Sequence, residues 1–68
     1  MRNSIKVERA RLNVTQAALA ERVKVARQTI IAIEAGRFVP STVLGFKIAK
    51  VLNCKVDEIF ELEEIDWE

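Results

Sequence analysis

Three hydrogen-bonding side chains, Arg27, Gln28 and Thr29, stand in a row at the start of the stretch A-R-Q-T-I-I-A-I-E-A-G-R, whose remainder reads as the interior of a small protein. Each suits the edge of a base pair. Arginine makes bidentate bonds to guanine, glutamine does so to adenine, and the methyl of threonine or alanine meets the methyl of thymine. With Ile30 and Ile33 turned inward on a helix, Arg27, Gln28 and Thr29 face outward together with Ala32 one turn later. Upstream, Thr15 and Gln16 open another candidate helix, where the glutamine amide and the unbonded N–H groups of a first turn can grip a phosphate. Arg37, just past the Ile30 helix, is placed to hold a second one. Singly, each of these residues is also ordinary helix-start or surface chemistry; in one frame, they describe a surface that reads duplex DNA.

Such a reader must be held out from the body of the protein by a helix pair with a tight turn. A small residue is needed where the two helices approach, and Ala20 supplies it; a turn follows at Lys24; Ile30 then plugs back into the core. The flanking elements follow from periodicity and punctuation. Ile5, Arg9 and Leu12 share a face of a first helix capped by Asn3 or Ser4 and stopped near Asn13, which tolerates a left-handed backbone. The second helix starts at Thr15, whose hydroxyl can cap it, and turns Leu19, Ala20 and Val23 inward. A third runs from Ala26 or Arg27 to Gly36, the residue that takes positive φ. Pro40 keeps the 37–41 segment a loop and Ser41 caps a fourth helix built on Leu44, Ile48 and Leu52, with Val51 beside them and Asn53 at its end. A short fifth helix over about Val56 to Phe60 carries Asp57 and Glu58 in its first turn, where the helix dipole favours negative charge.

The expectation is therefore an all-α fold of five helices with no strand required. Residues 1–60 form the DNA-binding domain, with the helix-turn-helix at about 16–35, and residues 61–68 form a short acidic tail. In that tail, E-L-E-E-I-D-W-E, the residues Leu62, Ile65 and Trp67 do not share a strand face, and the segment is too short for an independent helix. It is expected to pack on this chain or on a partner's. With Ile59 of the fifth helix, these three are the candidate dimer contacts.

The totals fit one domain. A chain of 68 residues buries only about 60% of the surface it exposes when unfolded, so its stability is marginal without help. Cys54 is the only cysteine and histidine is absent, which leaves no disulfide framework, no common zinc-ligand spacing and no expected metal or cofactor. Cys54 reads as a small buried apolar residue. No enzyme is expected, because histidine is missing, the thiol shows no sign of activation, and neither a glycine-rich phosphate loop nor a paired carboxylate appears. No leader and no apolar run near the ~20 residues that span a bilayer are seen, so a cytoplasmic protein without membrane contact is expected. Net charge is +1, yet it is unevenly spread. From Met1 to Arg37, eight basic residues face three acidic ones; from Phe38 to Glu68, three basic face seven acidic. A balance of +5 against −4 within so small a domain makes a dipolar molecule with a positive side for phosphates.

The chain resembles the Cro/CI-type helix-turn-helix family of phage repressors and their small stand-alone relatives. The resemblance is carried by V-T-Q-A-A-L-A-E-R-V (Val14 to Val23), R-Q-T-I-I-A-I-E-A-G (Arg27 to Gly36), the R-F-V-P-S loop, and L-G-F-K-I-A-K-V-L followed by V-D-E-I-F. It covers about Ile5 to Phe60 and leaves the tail outside. It implies a lambda-repressor-like domain that regulates transcription, usually as a homodimer on a palindromic operator in double-stranded DNA, with no small-molecule effector evident. Matched by position, Gln16 is the backbone-anchoring glutamine, Arg27, Gln28, Thr29 and Ala32 are the base-contacting positions, and Arg37 is a phosphate-contacting residue. Arg9 and Glu34 match a pair that ties the first helix to the third as a structural salt bridge. The sequence departs from the pattern at Lys24, where glycine is usual and a positive φ costs about 1 kcal/mol, at Ala35, where asparagine is common, and at Lys55, where a capping serine is frequent. The competing reading is a protein-interaction module or antitoxin-type partner that uses the same fold without reading DNA.

Overall fold

Four helices end in the same way, on a residue with left-handed backbone. The positions are Asn13 (φ 56°), Lys24 (61°), Gly36 (77°) and Asn53 (58°). At each, the next N–H reaches back to a carbonyl five residues earlier: Val14 to Arg9 (2.9 Å), Val25 to Ala20 (3.0 Å), Arg37 to Ala32 (2.9 Å) and Cys54 to Ala49 (2.9 Å). This closure satisfies carbonyls that the helix end leaves free and turns the chain sharply. In the computed structural model, which describes Met1–Glu68, the helices so bounded are α1 (Ile5–Leu12), α2 (Gln16–Val23), α3 (Arg27–Glu34) and α4 (Thr42–Val51), followed by the single-turn α5 (Val56–Ile59).

The helix starts are equally local. Thr15 Oγ1 accepts from the Ala18 N–H at 3.0 Å, and Ser41 Oγ accepts from that of Leu44 at 3.1 Å. For α1, Ser4 occupies the cap position but makes no side-chain cap bond; the Asn3 amide oxygen accepts from the Ile5 N–H instead, at 3.2 Å. Where a capping serine would be usual, Lys55 contributes its backbone: its N–H donates to the Glu58 carboxylate at 2.7 Å. One side of every helix then meets in a single core, in which Ile5, Leu19, Ile30, Ile33, Ile48, Leu52 and Ile59 are sealed from solvent. α2 packs against both α3 and α4. No helix is long and apolar enough to cross a membrane.

Two expectations need correction at the C-terminus. The fold does contain strands: β1 (Arg2–Asn3) pairs antiparallel with β2 (Phe60–Glu61), in the register Arg2 to Glu61 and Asn3 to Phe60. The Ser4 N–H extends the seam to the Ile59 carbonyl at 2.9 Å, and an Arg2–Glu61 ion pair flanks it. A ladder of two residues per strand has no alternation to read, and its partners lie almost a full chain length apart. Beyond it, a 3-10 turn over Glu64–Trp67 is clasped by the Met1 ammonium, which lies 2.9 Å from Glu63 and 3.1 Å from Asp66. The second correction is Ile59. Only 2% exposed, it belongs to the core and offers nothing to a partner, whereas Leu62, Ile65 and Trp67 of the candidate dimer set are exposed.

Cys54 is half-buried rather than a sealed apolar residue, and its thiol donates toward the Glu8 carboxylate and the Leu52 carbonyl, each at 3.4 Å. Burial, then the adjacent Glu8 carboxylate, push the thiol above its ordinary pKa; Arg11, then the thiol itself, hold Glu8 below its own. The raised value favours the neutral thiol in the folded chain, so its contribution to stability is intact below the unfolded thiol pKa and is lost as pH rises through the folded one. Alkylation of Cys54 in the native protein should therefore lag a free thiol until distinctly alkaline pH, and Glu8→Gln should shift the rate profile to lower pH. A second expectation concerns Lys24, the one left-handed helix stop that is neither Gly nor Asn. Lys24→Gly should stabilise the domain by up to about 1 kcal/mol in urea unfolding, with an unchanged slope.

Candidate nucleic-acid interface

Ile30 and Ile33 fix how α3 is rolled, and at about 100° per residue that roll fixes every other side chain on it. Gln28 falls opposite the two anchors, with Ala32 one turn along. Arg27 and Thr29 fall on the two flanks. The exposures follow: Arg27 and Gln28 are open to solvent, while Thr29 and Ala32 are half-buried. The four residues expected at the reading surface thus lie on one helix, but only two of them stand fully proud of it. Ile31, also half-buried, lies three residues from Gln28 and adds an apolar patch to the same side.

The start of α2 is held against α3 by a chain of polar contacts centred on Glu34. Arg9 of α1 donates from Nε to Glu34 Oε2 at 2.7 Å and from Nη2 to Oε1 at 3.2 Å, and its Nη1 donates to the Val14 carbonyl at 3.0 Å. The expected Arg9–Glu34 bridge is present, with side chains only 13% and 9% exposed. The Gln16 amide donates to Glu34 Oε1 at 3.1 Å, and its oxygen accepts from Arg27 Nη2 at 3.3 Å. Glu34 therefore orients the Gln16 amide, and Gln16 in turn draws Arg27 back from the tip of α3.

Lys6, Arg9, Thr15, Gln16, Ala17 and Arg27 line one shallow depression at the start of α2. Thr15 spends its hydroxyl on the helix cap, so what it brings to this depression is the exposed first turn of α2 with its free N–H groups. Lys6 was not singled out from the sequence, although it sits three residues before Arg9 and hence on the neighbouring face of α1. It adds a mobile positive charge where the amide, the helix N-terminus and the Arg27 guanidinium converge. Arg37 stands apart, exposed at the far end of α3 and aligned by the bond of its N–H to the Ala32 carbonyl. No group of side chains able to hold a metal ion occurs.

Two short helices joined by the Lys24 turn, the first buried by Leu19, Ala20 and Val23 and the second presenting polar side chains from its front, constitute a helix-turn-helix. Comparison with known proteins agrees: the family model described as helix-turn-helix matches residues 5–59. The chain is 48% identical to an uncharacterized HTH-type transcriptional regulator of Archaeoglobus fulgidus, covering 100% of this chain and 97% of that one. It is 50% identical to another from Methanocaldococcus jannaschii (94% and 97% covered) and 47% identical to YgzD, a regulator of the same description from Bacillus subtilis (94% and 97%). The chain belongs to the helix-turn-helix family of DNA-binding transcriptional regulators.

The central ion pair generates a prediction. Arg9→Ala leaves the Glu34 carboxylate mostly buried with only the Gln16 amide for company, and Glu34→Ala strands the guanidinium. Each should cost roughly 3 kcal/mol in denaturant unfolding, in the range for breaking a buried pair. The double replacement should cost markedly less than the sum of the two.

Proposed function

We propose that the protein is a repressor that binds a palindromic operator in double-stranded DNA as a homodimer, with α3 of each copy laid in the major groove. Two symmetric copies would present their α3 helices to successive grooves about 34 Å apart. The observation that carries the reading is Gln28, exposed on α3 diametrically away from buried Ile30 and Ile33. In this reading Gln28 selects a base, with Thr29 and Ala32 supplying methyl contacts beside it. Thr15, Gln16, Lys6 and Arg37 hold phosphates on either side of the groove.

Arg27 has two uses open to it. Bonded to Gln16, it belongs to the phosphate cradle; released, it reaches a guanine edge. Repression follows from the same reading, since a dimer seated across its operator occupies the site and excludes polymerase. The alternative, a protein-interaction module on the same scaffold, leaves the exposed polar front of α3 without a role.

Selection from random duplexes across a range of salt concentrations tests the reading. A palindrome should be enriched, and its affinity should fall steeply as salt rises. Gln28→Ala should relax base preference at one position per half-site at a cost of roughly 1–3 kcal/mol, while Arg37→Ala should weaken all sequences alike. Arg27→Ala distinguishes its two uses by whether preference or only the salt slope changes. Absence of any enriched sequence at low salt would favour the interaction module instead.

A further inference from the structure

The outer face of α4 is apolar and basic where the rest of the C-terminal half is acidic. Its inner face, Gly45, Ile48 and Ala49, is buried. Val43, Phe46, Lys47 and Lys50 follow at helical spacing on the other side, with Phe46 60% and Val43 65% exposed. Val39, in the loop before α4, prolongs the apolar strip. Neither Lys47 nor Lys50 has an ion-pair partner in the chain.

The C-terminal tail has the complementary character. Ile65 and Trp67 are 68% and 78% exposed, too much apolar surface to leave in water on a chain this small. The acidic residues between and around them divide into two groups. Glu61, Glu63 and Asp66 are already paired, with Arg2 and the Met1 ammonium. Glu64 and Glu68, which bracket Ile65 and Trp67, are exposed and unpaired. One chain thus carries two free cations beside an exposed phenylalanine and, elsewhere, two free anions beside an exposed tryptophan.

These two surfaces adjoin. Met1 bonds to Glu63 and Asp66 at one end and lines a crevice with Phe46, Pro40 and Phe60 at the other. A twofold axis near Met1 can therefore pair two copies so that each tail crosses the α4 of its neighbour, the same patch serving both subunits. Area argues for using both parts. A ten-residue helix is only about 15 Å long, and its outer face alone falls short of the roughly 800 Å² that each partner contributes to a stable interface; the tail extends it.

We propose that a second copy of this chain covers the α4 face with its tail: Trp67 and Ile65 lie on Phe46 and Val43, and Glu64 and Glu68 face Lys47 and Lys50. The inference rests on the homodimer reading above and specifies its interface. The acidic tail of one subunit shields the apolar strip of the other, and the reading face of α3 takes no part.

Trp67 is the only tryptophan of the chain, so its fluorescence reports the tail directly. Sedimentation of the full chain, with emission recorded over the same concentrations, should give a dimer whose Trp67 emission moves to longer wavelength as dilution produces monomer. Phe46→Glu should raise the dimer dissociation constant at least about tenfold, with unchanged helical circular dichroism because the residue is exposed. Lys47→Glu combined with Lys50→Glu should also weaken the dimer, and mixing that variant with a Glu64→Lys, Glu68→Lys chain should restore association in the mixture. A dimer whose Trp67 emission is insensitive to dilution and whose affinity survives Phe46→Glu would overturn the interface while leaving the homodimer reading intact. A monomer at every concentration, on and off DNA, would overturn both.

Discussion

A single carboxylate, that of Glu34, connects the three helices on which DNA recognition rests. It is nearly buried, and a charge in that position is tolerated only if its oxygens are fully engaged. Arg9 from α1 takes both of them and Gln16 from α2 takes a share of one, while Glu34 itself ends α3. The hydrophobic core cannot do this work alone. Isoleucine and leucine contacts fill space but leave neighbouring helices some freedom to slide, whereas a bidentate guanidinium–carboxylate pair fixes a distance and a plane. In a domain with only a dozen buried residues, that fixation sets the angle at which the start of α2 stands to the start of α3, and hence, in the proposed reading, the span between a phosphate and a base edge.

The same carboxylate explains why the site was only partly legible in the sequence. Which face of α3 points outward could be read from Ile30 and Ile33, because burial and helical period leave one choice. That Arg27 is drawn back to Gln16 could not, since the bond joins side chains eleven positions apart whose geometry depends on Glu34. Lys6 was overlooked for a related reason. Its neighbours in the depression come from α2 and α3, and nothing in the local sequence of α1 marks it as different from Arg2 or Arg11. Helix ends, by contrast, were readable almost residue by residue. Asn13, Gly36, Asn53, Thr15 and Ser41 act through bonds to atoms within five positions, so local sequence contains the whole cause.

The termini show the opposite case. Closing β1 on β2 joins residues 59 and 57 positions apart for the sake of two residues per strand, and the ladder follows from the burial of Ile59, at the end of α5, and of Phe60 just after it. Burying Ile59 places the following backbone beside Asn3, whose amide nitrogen is itself bonded to the Ile33 carbonyl at 2.9 Å. The strand pair is thus a consequence of packing rather than of strand propensity, and a reading based on alternation has nothing to find. It also anchors the tail at its root while leaving Leu62, Ile65 and Trp67 exposed.

Charge is arranged along the same line of reasoning. Of the basic residues in the first half, Lys6, Arg9 and Arg27 gather at the start of α2, where in the proposed reading a negatively charged duplex would be attracted from a distance and then held by directed bonds. The acidic second half would repel the same duplex if it lay on that face. Part of it is instead neutralised at the N-terminus, where the Met1 ammonium pairs with Glu63 and Asp66 and Arg2 pairs with Glu61. Lys47 and Lys50 interrupt this pattern on α4, away from the depression that gathers Gln16 and Arg27. Cations there add little to a phosphate cradle on another face, but beside Phe46 they select against a basic occupant and in favour of an acidic one. In the proposed dimer, sign of charge, and not hydrophobicity alone, would make that face specific for the tail of a second copy.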